Sequence, residues 1–197
     1  RVPDALATTR PDDGNVANIS VLPVAGEQGP EVLALWEAGS PWRIDPQTLE
    51  TRGRKVWSAE TDGAAFSAHP KVGRDGTIWS FGYLPGSGRL VLYRIDSKGQ
   101  LKTAAMVETA DADMIHDFAI TDRWLVFVLM PLVFDPESTR GDGSFLSRLQ
   151  WQGEQRGGTV LLVDKSSLAI RHRFQIPATP FFHLGNAWDD GSSVRIQ

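Results

Sequence analysis

Apolar residues in this chain never hold a helical period for long. They come in runs of seven or eight: "EVLALWEA" (31–38), "TIWSFGYL" (77–84), "RLVLYRID" (89–96), "MIHDFAI" (114–120), "RWLVFVLM" (123–130), "TVLLVDK" (159–165) and "AIRHRFQI" (169–176). Turn signals stand between them, as in "RDGT" (74–77), "GSGR" (86–89) and "SKGQ" (97–100). Short runs rich in β-branched and aromatic residues, at regular spacing, predict an all-β protein. The clearest hairpin is 89–107, where "SKGQ" joins two strand-like runs.

Sheets of this kind close into sandwiches, barrels or propellers. The four-strand spacing and the recurring "ID" or "VD" strand ends at Asp96 and Asp164 favour propeller blades, although no clean internal repeat is visible. Residues 135–158 lack a strand pattern and are expected to form a long loop insertion, with "SFLSRLQW" making a short helical turn. No linker divides the chain, so 1–197 reads as a single domain.

Composition narrows the function classes. With 41% apolar and 22% charged residues, 197 residues suffice for a sizeable core. A net charge of −4 without a basic stripe argues against nucleic-acid binding. The longest apolar run, 124–134, is broken by Pro131 and is shorter than the roughly 18 residues a membrane-spanning helix needs. Cysteine is absent, which excludes thiolate ligands, disulfides and a cysteine nucleophile and fits a cytoplasmic location. The N-terminus, "RVPDALATTRPDDG", lacks the apolar stretch of a signal peptide. Without an initiator Met, the sequence reads as starting inside a longer chain.

Four histidines could carry chemistry. His172 lies between two arginines on what reads as a solvated strand face, which makes it a poor ligand. His69 ("FSAHPKV"), His116 ("MIHDFAI") and His183 ("FFHLGNAWDD") each sit among small or apolar residues. Any one alone is better read as a buried, hydrogen-bonded imidazole. Three together suggest a metal site, because neutral imidazole is a common ligand for iron, zinc, copper and nickel. Separations of 47 and 67 residues are too wide for a finger motif and suit one ligand from each of several sheets. Asp117 follows His116, but neighbours on a strand face opposite ways, so it is expected to point away. The acidic pairs at 111–113 and 189–190 read as turn or cap residues.

"FSAHPKV…GTIWSFGY", "MIHDFAITDRWLVFVLMPLVFD" and "FFHLGNAWDD" resemble the carotenoid cleavage oxygenase family, from about Asn18 to Trp188. That family includes carotenoid and apocarotenoid oxygenases, stilbene-cleaving dioxygenases and a retinoid isomerase. The resemblance implies part of a seven-bladed β-propeller whose axis carries a non-haem Fe(II) held by four histidines, three of which match His69, His116 and His183. It also implies a carboxylate that accepts from the free N–H of a ligand imidazole. Glu37 matches that position, paired with His116 or with His183. No residue here stands for the fourth histidine or for two further glutamates, so the chain reads as an internal piece of three to four blades. An open piece would expose sheet edges, which predicts poor stability or support from other chains.

The implied reaction is oxidative cleavage of the C=C bond of a carotenoid, apocarotenoid or similar alkene by O2, giving two carbonyl products. In the stilbene-cleaving branch a lysine that binds the phenol oxygen immediately precedes the glutamate position that Glu37 matches. Here Trp36 stands there, which favours an extended polyene. Trp36, Phe66 and Phe182 are candidates for lining the substrate tunnel. Family members touch membranes peripherally through an apolar patch at the tunnel mouth. The competing readings are a stilbenoid-cleaving dioxygenase, an isomerase or polyene-binding protein, and a non-catalytic propeller scaffold with structural histidines.

Overall fold

A computed structural model describes residues 12, 14–26, 29–110, 112–138 and 146–197. The fold is all-β. The first sheet contains β1 (Ser20–Gly26), β2 (Gly29–Leu35), β3 (Trp42–Ile44) and β4 (Thr51–Arg54), paired in that order. The second contains β5 (Lys71–Val72), β6 (Ile78–Leu84), β7 (Arg89–Ile95) and β8 (Leu101–Glu108), again in chain order. The strands β9 (Ala119–Ile120), β10 (Trp124–Leu129), β11 (Leu132–Phe134), β12 (Leu149–Trp151), β13 (Gly158–Asp164) and β14 (Ile170–Ile176) follow. Of these, β9, β10, β13 and β14 form the third sheet, and β11 and β12 pair apart from it as a hairpin. A last hairpin joins β15 (Ala187–Asp189) to β16 (Val194–Ile196).

Each four-stranded sheet is therefore an antiparallel meander, the plan of a propeller blade. Residues 135–158, expected as a loop insertion, carry a 3-10 turn at Leu146–Arg148, the strand β12 and a one-turn helix α1 (Gly153–Arg156). Residues 139–145 of that insertion lie outside those described. Asp111, read as a turn or cap residue, also falls outside them.

The chain, read above as one domain, groups into two compact units: Arg1–Gly82 with Val91–Met106, and Tyr83–Leu90 with Val107–Gln197. The first unit has a core of Leu22, Val24, Leu33, Leu35, Phe66, Ala68, Ile78, Tyr93 and Ile95. Alternation builds it: Leu22 and Val24 of β1 face inward while Val21 is 68% exposed, and Leu22 sits opposite Leu33 across the ladder. The Tyr93 hydroxyl donates to the Ala65 carbonyl at 3.0 Å, and burial pushes its phenol above the ordinary range.

The second unit's core gathers Ala119, Trp124, Val126, Val160, Leu162 and Ala187. Val126 of β10 stands opposite Leu162 of β13, and every residue of β13 is buried. That burial on both faces explains why "TVLLVDK" reads as a continuous apolar run and lacks alternation.

The "ID" and "VD" strand ends have a structural cause. The Asp96 carboxylate accepts the N–H groups of Lys98 and Gln100, closing the β7–β8 turn. Asp164 does the same with Ser166 and Ser167, Asp45 with Gln47 and Thr48, and Asp190 with Ser192 and Ser193. An aspartate that caps its own turn replaces the backbone partners a tight bend leaves open. These bonds stabilise the ionised form, so all four carboxyls lie below the usual range. In the Asp96 turn Gly99 takes φ +76°, and a β-carbon there would meet the Ala25 carbonyl oxygen at 2.0 Å. Gly82 on β6 lies equally close to the backbone of Ala65, whose oxygen would be 1.9 Å from an added β-carbon.

Candidate metal centre

The stretch containing His116 is not a strand. Ala112 and residues 114–118 run without regular structure into β9. Met114, Ile115 and Phe118 are buried, the Tyr83 hydroxyl donates to the Met114 sulfur at 3.4 Å, and Phe118 stacks on Phe127. The apolar run therefore anchors an irregular segment, and His116 is half-buried within it. The expectation that strand alternation turns Asp117 away from His116 loses its basis here.

His183 lies on the segment that links β14 to β15. That segment is tied on both sides of the histidine. The Phe181 N–H donates to the Met130 sulfur at 3.3 Å, and the Leu184 N–H donates to a carboxylate oxygen of Asp117 at 3.0 Å. The other Asp117 oxygen accepts the N–H of Phe118 at 2.8 Å, and the residue is 3% exposed.

The outcome is a pair of facing imidazoles. The Nε2 atoms of His116 and His183 are 3.2 Å apart, with ring centroids separated by 4.9 Å and planes inclined by 65°. Two imidazole nitrogens bound to one ion at about 2.1 Å are about 3.0–3.4 Å apart, for angles between a right angle and the tetrahedral angle. The pair thus fits a shared cation, and the all-nitrogen donor set suits a borderline transition metal. Phe182 presents itself to the His116 ring edge-on at 5.4 Å and is 58% exposed, an apolar surface beside the ring.

The remaining sequence-derived residues sit as follows. His69, in the first unit, is half-buried just before β5, and its backbone N–H donates to the Ser67 hydroxyl at 3.0 Å. Glu37 and Trp36 follow the end of β2 and are half-buried. Phe66, expected at a tunnel wall, is 1% exposed in the first core, stacked on Trp57 at 5.4 Å and tilted against Tyr93. His172 is on β14, exposed, edge-on to Trp124 at 5.4 Å and near-parallel to Phe174. Asp117 is the residue that sequence reasoning passed over. The dipeptide with His116 was visible, but nothing in one sequence showed that its carboxylate reaches a backbone 67 residues away.

Known proteins resemble this chain in sequence and in fold. The profile of the family described as retinal pigment epithelial membrane protein matches residues 3–197. An isoeugenol monooxygenase of Pseudomonas putida is 31% identical over 93% of this chain and 38% of its own length. A carotenoid 9,10(9',10')-cleavage dioxygenase of Phaseolus vulgaris is 32% identical over 84% of this chain and 31% of its own. Among solved structures, a Pseudomonas brassicacearum lignostilbene dioxygenase superposes with a TM-score of 0.80 at 29% identity, covering 98% of this chain and 40% of that one. The chain therefore spans less than half the length of the relatives it matches. The three meandering sheets are part of the seven-bladed propeller that such relatives form, and the chain belongs to the retinal pigment epithelial membrane protein family of carotenoid cleavage oxygenases.

Proposed function

We propose that His69, His116 and His183 are ligands of one non-haem Fe(II) ion and that the protein cleaves the C=C bond of an apolar conjugated alkene. The observation that carries this reading is the facing of His116 and His183 at 3.2 Å, on segments 67 residues apart. Bound iron would supply the redox chemistry by which O2 oxidises an alkene to two carbonyl compounds, both oxygen atoms entering the products.

The chain's own residues have simpler tasks. The imidazoles hold the ion in neutral form, and the histidine segments fix where it sits. Phe182 offers an apolar wall against which an alkene can lie beside His116. Glu37 is proposed to accept from a ligand imidazole and so fix its tautomer. No acid or base is required, which agrees with the lack of a catalytic acid–base pair in the sequence reading.

The substrate class rests on Trp36, whose apolar face suits an extended polyene such as an apocarotenoid. A stilbenoid is the second reading, favoured by relatives named for isoeugenol and for resveratrol cleavage. Such substrates dissolve in lipid, so a peripheral membrane contact is part of the proposal. Among the described residues no helix is long and apolar enough to cross a membrane.

The test uses the full-length protein, purified anaerobically, loaded with Fe(II) and given an apocarotenoid or a stilbenoid under labelled oxygen. Label in both carbonyl products supports the reading, and the preferred substrate decides between the two classes. Iron binding without labelled products would leave a polyene-binding or isomerising protein.

A further inference from the structure

We infer that Asp117 is a positioning residue that sets the spacing of the two histidines. This rests on the metal reading of His116 and His183 above. The geometry is specific. Asp117 directly follows His116, and Leu184 directly follows His183. One carboxylate oxygen of Asp117 accepts the Leu184 N–H at 3.0 Å and the other accepts the Phe118 N–H at 2.8 Å. One buried side chain therefore bonds to the backbone immediately after each histidine. Neither histidine lies in a strand, so no ladder hydrogen bonds hold these two points of the chain.

An ionised carboxylate is suited to this task because it only accepts, through two oxygens, and here two N–H donors meet it. Hydrogen bonds to a charged acceptor are also stronger than neutral ones. An amide in its place offers one oxygen and one NH2 group. It can satisfy one N–H but must set a donor against the other, leaving a buried mismatch. The segment carrying His183 would then shift relative to His116, and a ligand pair displaced by even a fraction of an ångström loses metal affinity before it loses its fold.

The experiment compares full-length parent protein with Asp117→Asn, using Co(II) as a spectroscopic probe of the site. Co(II) affinity, ligand-field absorption and thermal unfolding of the metal-free protein are measured on both. The expected result is a loss of at least tenfold in Co(II) affinity and a changed absorption band in a variant whose far-UV dichroism matches the parent. Equal affinity and an identical band in the folded variant would overturn the inference. If Asp117→Asn does not fold, replacing Leu184 by its α-hydroxy acid removes the donor N–H and keeps the carboxylate, and the same two readouts apply. A parent protein that binds no Co(II) or Fe(II) would sink the metal reading itself, an outcome distinct from a variant that binds as well as the parent.

Discussion

His116 and His183 face one another through their Nε2 atoms at 3.2 Å, yet 66 residues of chain, including the whole of the third sheet, lie between them. Without an ion the pair can share at most one proton. With one, both nitrogens gain a partner. Replacing either by Ala is expected to lower bound iron from near one per protein to less than about a tenth, while the metal-free protein loses less than about 1 kcal/mol because both rings are partly exposed. Elemental analysis after anaerobic loading, with thermal unfolding of the metal-free forms, checks both halves of this expectation.

Phe182 touches the His116 ring but buries little of itself. Its replacement by Ala should leave the melting temperature nearly unchanged. It should reduce kcat/KM for an apolar alkene about tenfold, the worth of a removed aromatic contact. A drop in melting temperature with unaltered kinetics would instead make it a packing residue. Phe66→Ala should do the opposite. It empties a site in the first core and should cost about 3–5 kcal/mol of stability.

Gly82 has no room for a side chain. The obstruction is the Ala65 carbonyl, which is backbone and cannot rotate aside. Gly82→Ala is expected to destabilise the protein by about 1–3 kcal/mol through overpacking, read from the midpoint of chemical denaturation.

The turn aspartates set an acid limit. Bonds from the Thr48 and Gln47 N–H groups, with the Arg52 guanidinium, bring the Asp45 carboxyl down to about 2, from a usual value near 3.8. A carboxyl lowered on folding contributes its stability in full above the unfolded value and loses it as pH falls through the folded one. For Asp45 that window runs from about pH 4 to about pH 2. Asp96, Asp164 and Asp190 move in the same direction. Stability followed from pH 5 to pH 2 should decline through this range, and the decline should be shallower in Asp45→Asn.

Much of this was legible in the sequence, and the rest has physical reasons. The strands β2, β6, β7, β10, β13 and β14 announced themselves because each carries a full apolar or alternating run between turn residues. β3, β5, β15 and β16 did not, because two or three residues are too few to show a period. β1 has seven residues but includes Pro23 and two small residues at its end, which mask its alternation. The segment around His116 was misread as a strand for the converse reason. Met114, Ile115 and Phe118 are apolar because they anchor an irregular stretch, and burial alone does not reveal backbone shape. The three candidate histidines were legible from their apolar settings and Glu37 from a matching motif, whereas the role of Asp117 depends on a contact between distant segments, which no local pattern encodes.

The self-capped turns also bear on synthesis. An aspartate that closes a hairpin with the N–H groups two to four residues ahead needs nothing from the rest of the chain. Contacts so close in sequence form quickly, and β-sheets made of consecutive hairpins avoid the long searches that slow other β topologies. The last strand of the first sheet ends at Arg54 and that of the second at Glu108. Each sheet can assemble as it leaves the ribosome, before the last strand of the next has emerged. His116 and His183 can meet only after residue 183 has emerged, when all three four-stranded sheets have already been made.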